Sequence, residues 1–174
     1  MIVHNSWWIG MEVNKAKVEA MTSVAIEVGM EMVHVDAGWF MAVGDWRPDQ
    51  KKFPGNSLRE LSDYVHAHGM RFGMWVAWVQ GGDHTAFESS NDPLRPTLSV
   101  FNATQNSWFS HKVEPAAGNT NFSATYHNPG PFTGAVMCLG STAAQQWAVR
   151  RLQQVIQDFD LDMLEHDQPI ITHK

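Results

Sequence analysis

The chain alternates between two hydrophobic periods, and that alternation fixes its fold class. Short apolar runs of strand type occur at "IVHNSWW" (Ile2–Trp8), at "EMVHVDAGWF", whose strand part ends at Asp36, at "RFGMWVAW" (Arg71–Trp78) and at "LDMLEHD" (Leu161–Asp167). Between them the apolar residues recur at helical spacing. In "NKAKVEAMTSVAIEVG", Asn14 can cap the start, Val18, Met21, Ala25 and Val28 share a face, and Gly29 can end it. "SLRELSDYVHAHG" opens with Ser57 and Glu60 at capping-box spacing, carries Leu58, Leu61, Tyr64, Val65 and His68 as its stripe, and closes at Gly69. "STAAQQWAVRRLQQVIQDF" has Thr142 and Gln145 at its start and Ala148, Leu152, Val155 and Phe159 along one side. The order β-α-β-α-β-α-β predicts right-handed crossovers and a parallel sheet, an α/β fold.

One stretch breaks the rhythm. Residues 79–140 are rich in Asn, Ser, Thr, Pro and Gly, and a structureless connection of that length is uncommon in a compact domain. Its aromatics, among them Phe101, Trp108 and Tyr126, predict that parts of it pack. It reads as an insertion over the C-terminal face of the strands, within a single domain spanning residues 1–174.

Composition narrows the partners. A formal net charge of -6 disfavours a phosphate backbone, which needs clustered Lys and Arg, so nucleic acid is not expected. No window is apolar enough to span a membrane. The start, "MIVHNSWWIG", lacks the pattern of a secretory signal, and the single cysteine, Cys138, cannot form an internal disulfide. A cytoplasmic location is the expectation. The chain is unusual in its eight tryptophans. An indole gives a flat apolar face with one N–H donor, which suits core filling and equally suits the C–H face of a sugar ring.

The polar residues fall at the strand ends. Asn5, Trp7 and Trp8 end the first run, Asp36 and Trp39 follow the second, Trp75 and Trp78 the third, and Glu165, His166 and Asp167 the fourth. In parallel α/β folds ligands bind outside the carboxyl ends of the strands, so carboxylates from separate strands can converge on one pocket. The chain has no Gly-rich phosphate loop and no nucleophile-elbow motif. Its nine histidines show no zinc-ligand spacing; His66 and His68 sit at i and i+2 on a helix and face different ways. Neither a metal nor a cofactor is expected.

In this order, "NSWW", "DAGWF", "GDWRPDQKKFP", "GMRFGMWV", "CLGS" before a helix, and "LDMLEHD" resemble the bacterial α-galactosidases of glycoside hydrolase family 36 and its clan. The resemblance covers most of the chain outside the insertion. It implies a (β/α)8 barrel and retaining hydrolysis of an α-glycoside, with a carbohydrate as partner. Asp167 matches the nucleophile and Asp36 an aspartate that binds sugar hydroxyls. Trp39 and Trp8 would line the pocket, with Asp45 and Trp46 in its wall. Trp75, Glu165 and His166 complete the candidate binding set. The chain departs from the family at Ala37, where a second aspartate is common, and at Glu165 and His166, where Lys and Trp commonly precede the nucleophile.

A complete barrel takes about 200 residues or more, and four strands already reach the end of this chain. The expectation is therefore a partial TIM barrel of about four βα units, lacking the general acid and inactive by itself, whose open edges favour self-association. Two other readings stay open. One is a non-catalytic carbohydrate-binding protein on an inactivated barrel. The other is a different parallel α/β enzyme, such as an isomerase or aldolase.

Overall fold

A computed structural model of the chain describes residues 1–42, 45–78, 80–81, 135–136 and 142–167. In order the elements are β1 (Val3–Asn5), a 3-10 segment (Ser6–Glu12), α1 (Lys15–Glu27), β2 (Met32–Val35), β3 (Phe40–Ala42), β4 (Asp45–Pro48), α2 (Ser57–Ala67), β5 (Arg71–Val76), β6 (Gln80–Gly81), β7 (Ala135–Val136), α3 (Thr142–Phe159) and β8 (Met163–His166). They fall into two compact units, the first made of Met1–Met41, Arg47–Val76 and Leu152–Asp167. No helix among the described residues is long and apolar enough to cross a membrane.

The first unit holds a four-stranded sheet in the order β1-β2-β5-β8, parallel at every pairing, as the alternation requires. Successive side chains of a strand point to opposite faces. Val33 and Val35 of β2 therefore share a face with their partners Phe72 and Met74 of β5. All four have no solvent exposure and form the core with Val18, Leu58, Leu61 and Val65 of the helices. The opposite face carries Asn5, His34, Gly73, Trp75, Met163 and Glu165, in the register Asn5–His34–Gly73–Met163.

The helices form where their spacing predicts, with local differences. Asn14 caps α1, its side chain accepting from the Lys17 N–H at 3.1 Å. Val18, Met21 and Ala25 are buried, but Val28 is exposed, because it falls at the cap; Thr22 takes the remaining buried position and donates its hydroxyl to the Val18 carbonyl at 2.8 Å. The capping box at Ser57 does not form. A turn from Pro54 already receives the Ser57 N–H at 3.2 Å, so Ser57 is the first helical residue and is buried, while Glu60 lies 3.8 Å from Lys15. The first strand is shorter than the run Ile2–Trp8. It stops at Asn5, whose side chain accepts from the Trp7 N–H at 2.7 Å and turns the chain into the 3-10 segment.

At the far end of the sheet, Asp162 leads into β8 and ties it to its neighbours. Its Oδ2 lies 2.8 Å from both the Phe72 N–H and His66 Nε2. Burial works against its ionisation, but the Phe72 N–H, His66 and Arg71 together outweigh that and hold its carboxyl below the usual value. The second unit, Ala42–Trp46, Ala77–Arg151 and Gln168–Lys174, contains β6 and β7, paired antiparallel. Apart from Gln80–Gly81 and Ala135–Val136, the predicted insertion 79–140 lies outside the described residues.

Gly38, in "DAGWF", is required by its surroundings. Its φ is +111°, and a Cβ there would stand 2.9 Å from both the Cα and the carbonyl oxygen of Met11. Lys52 holds that approach, its Nζ donating to the carbonyls of Met11 (2.6 Å) and Gly38 (2.8 Å). Gly38→Ala is expected to destabilise the chain by about 2–4 kcal/mol, the sum of left-handed strain and a backbone clash. Gly29→Ala, at φ +72° with nothing within 4 Å, carries the strain alone and should cost about 1–2 kcal/mol. Urea denaturation compares them, and equal losses would show that the clash with Met11 relaxes.

Candidate functional site

Asp36 follows β2 and Asp167 follows β8, so both carboxylates stand at the same end of one parallel sheet. Asp36 is almost fully buried and firmly held. Its Oδ2 accepts from Asn5 Nδ2 at 2.8 Å, its Oδ1 from the Ala37 N–H at 2.7 Å, and its own N–H donates to Ser6 Oγ at 2.8 Å. The turn of the chain at Asn5 thus serves the site, placing both Asn5 and Ser6 against Asp36. Asp167 is anchored by its N–H to the Val76 carbonyl (3.1 Å) and receives Trp75 Nε1 on Oδ2 at 3.3 Å.

Glu165 lies near both Asp36 and Asp167. Its side chain is 41% exposed, and its Oε2 lies 3.1 Å from Nε2 of His34, which has no exposure at all. The contact is close, but neither ring nitrogen of His34 meets hydrogen-bonding geometry. The three groups His34, Asp36 and Glu165 place a ligand atom each within 4.8 Å of one another. Burial pushes the Glu165 carboxyl above its ordinary value, and the charges of Asp36 and Asp167 push it further. Burial lowers the imidazole of His34, against a smaller opposing pull from Asp36.

The tryptophans divide by exposure. Trp39 is completely buried, donates Nε1 to the Trp75 carbonyl at 2.8 Å, and meets Phe40 and Phe159 edge-on at 5.6 and 5.8 Å. Trp75 is 3% exposed and stacks on Phe40 at 5.7 Å. Trp8 is 72% exposed and lies parallel to the His4 ring at 6.4 Å. His166 is exposed. Trp46 belongs to the second unit, where it is buried and its carbonyl accepts from Arg151 at 2.5 Å. Asp45 lies in β4, but its side chain is outside the described residues. The structure therefore groups Asp36, Trp75, Glu165 and Asp167, with Trp39 packed against the backbone of Trp75. A groove lined by Lys15, Glu19, Glu60 and Tyr64, between α1 and α2, holds none of these groups.

His34 was absent from the sequence-derived set. The signal was present: His34 and Asp36 sit at i and i+2 in a strand, which puts them on one face.

The opposing shifts give a pH dependence of stability. His34 binds fewer protons in the folded chain than in the unfolded one. Its term therefore raises stability with pH below its ordinary 6.5 and is complete above it. Glu165 binds more protons when folded, so its term lowers stability as pH rises from its ordinary 4.5 through the folded value. Glu165→Gln is expected to stabilise the chain at pH 7, by less than about 1 kcal/mol because the side chain is partly solvated, and to have no such effect at pH 3. Thermal melts at both values check this; a gain at pH 3 as large as at pH 7 would contradict it.

The Melibiase family model matches residues 1–80, which include Asn5, Asp36, Trp39 and Trp75. That region is similar to the melibiases and to the α-galactosidases of glycoside hydrolase family 36. Over 82 residues the chain is 35% identical to α-galactosidase Mel36A of Lactobacillus acidophilus, which covers 42% of this chain and 11% of that protein. Over 83 residues it is 36% identical to α-galactosidase 1 of Pediococcus pentosaceus, covering 43% and 11%. The chain thus spans about a tenth of the length of these curated relatives. Among solved structures, the α-galactosidase from Lactobacillus brevis superposes over 96% of this chain and 20% of its own, with TM-score 0.67 and 24% identity. AgaA from Geobacillus stearothermophilus gives TM-score 0.70 and 19% identity over 96% and 21%. The fold of this chain is accordingly part of an α/β barrel, and the four parallel strands are barrel strands.

Proposed function

We propose that the strand-end cluster is the sugar-binding and nucleophilic part of a retaining α-glycosidase site, with α-galactosides as the substrate class. The observation that carries this is the pair Asp36 and Asp167 at one end of the sheet, both close enough to Glu165 to raise its carboxyl. Relatives named α-galactosidases support the substrate class, as do family 36 neighbours solved with stachyose and with raffinose. In this reading Asp36, locked by Asn5 and Ala37, accepts hydrogen bonds from sugar hydroxyls. The Asp167 carboxylate attacks the anomeric carbon and stabilises the oxocarbenium-like transition state. A second carboxylic acid, about 5–5.5 Å from the nucleophile in retaining enzymes, protonates the leaving oxygen.

Ala37 favours a second reading, a sugar-binding barrel without turnover. It is buried where the family commonly has another aspartate. Both readings require a sugar at Asp36. Calorimetric titration with galactose and methyl α-galactoside should give saturable binding. Asp36→Asn should weaken it about 10-fold or more, since a hydrogen bond to a charged group is worth about 1.5–3 kcal/mol. Absence of binding at tens of millimolar sugar, or affinity indifferent to Asp36→Asn, would remove the basis of both.

A further inference from the structure

The glycosidase reading leaves His34 unused, and His34 is the strangest group in the first unit. Its imidazole is wholly buried on the strand face that also carries Asn5, Gly73 and Glu165, yet neither nitrogen has an aligned hydrogen-bond partner. A buried polar group without a partner costs about 1–3 kcal/mol and calls for an explanation. The register supplies a geometric one. Opposite His34 on β5 is Gly73, which has no side chain, so no β5 side chain stands between β2 and β8 at that level, and Met163 of β8 packs against the glycine. Glu165, two residues further along β8, reaches across to 3.1 Å from His34 Nε2. Neither Asp36 nor Glu165 meets a Lys or Arg side chain among the described residues.

We propose that His34, Asp36 and Glu165 form a divalent transition-metal site, binding zinc or manganese through the imidazole Nε2 and one oxygen of each carboxylate. Two ligands each about 2.0–2.2 Å from a common ion stand about 3.0–3.4 Å apart, which the His34–Glu165 separation already matches. The ligand atoms of all three residues lie within 4.8 Å of one another, so an ion draws them together by small side-chain shifts, in which the partly exposed Glu165 has the most freedom. One imidazole with two carboxylates is a donor set for zinc or manganese, whereas calcium and magnesium prefer oxygen alone. Asp36 has the outer support a ligand needs: Asn5 Nδ2 and the Ala37 N–H fix its two oxygens and leave each a further lone pair. Three protein ligands leave a coordination position for water or a sugar hydroxyl. The site does not require the chain to be a hydrolase, and its test reads the metal rather than turnover.

The chain, stripped with a chelator, is titrated with zinc chloride by calorimetry and with cobalt(II) followed by visible absorption. One saturable site of micromolar or tighter affinity is expected, with cobalt bands that report a nitrogen ligand. Glu165→Gln, at a partly exposed position that the fold tolerates, should weaken zinc at least tenfold. His34→Gln should remove the cobalt bands. His66→Ala, which dismantles the separate surface pair of His66 with Asp162, should leave both readings unchanged. Absence of a saturable isotherm overturns the proposal, and so does zinc affinity that survives Glu165→Gln but falls in His66→Ala. If zinc does not bind and an amino sugar does, the cluster reads an ammonium group instead, and the metal proposal fails.

Discussion

Exposed to an α-galactosyl fluoride slowed by a second ring fluorine, the chain is expected to gain one glycosyl unit, carried on Asp167. The step needs no general acid. A carboxylate oxygen of Asp167 forms the bond to the anomeric carbon, the carbon–fluorine bond breaks, and fluoride leaves as the anion. What the step does need is a nucleophile held in place. Asp167 is held by its N–H on the Val76 carbonyl and by Trp75 Nε1 on its Oδ2. Asp167→Asn keeps the shape and removes the charge, and labelling should fall by on the order of ten-thousandfold, as for other enzymes that lose a central reacting group. Peptide mapping by mass spectrometry gives the answer. Sugar binding without any adduct would establish the non-catalytic reading. An adduct on Glu165 would move the nucleophile two residues along the strand.

Much of the fold was legible because burial imposes a period. The four strands lie inside the apolar runs that predicted them, and Val18, Ala25, Leu61 and Val155 are buried as their spacing requires. What the period does not carry is hydrogen-bond choice at the ends of elements. Nothing in "IVHNSWW" shows that Asn5 will accept from the Trp7 N–H and stop the strand, because Asn is equally at home in a loop beyond it. Nothing in the spacing of Ser57 and Glu60 shows that a turn from Pro54 will draw Ser57 into the helix. The same limit applies to the site. Asp36 and Asp167 were visible as strand-end carboxylates. The approach of Glu165 to His34 depends on a three-strand register and on a glycine in the middle strand, facts that exist only once the sheet is assembled.

Trp39 tests how far the packing beneath the site governs the site itself. Trp39→Ala should destabilise the chain by about 3–5 kcal/mol, a large part of the 5–15 kcal/mol that keeps a typical domain folded. The indole has no exposure, and its removal takes away the edge contacts to Phe40 and Phe159 together with the bond to the Trp75 carbonyl. Trp39→Phe separates these effects. Most of the ring contact survives, but the hydrogen bond from Nε1 to the Trp75 carbonyl is lost, at a cost of about 1 kcal/mol. Trp75 is also the residue whose indole restrains Asp167, so loosening its backbone should reach the nucleophile while leaving Asp36, held by Asn5 and Ala37, as it was. In Trp39→Phe, therefore, labelling of Asp167 should slow several-fold while galactose affinity stays near that of the parent chain. If affinity and labelling fell together, Trp39 would act on the whole strand end and not through Trp75. If stability alone fell, the path from Trp39 to Asp167 would carry no positioning at all.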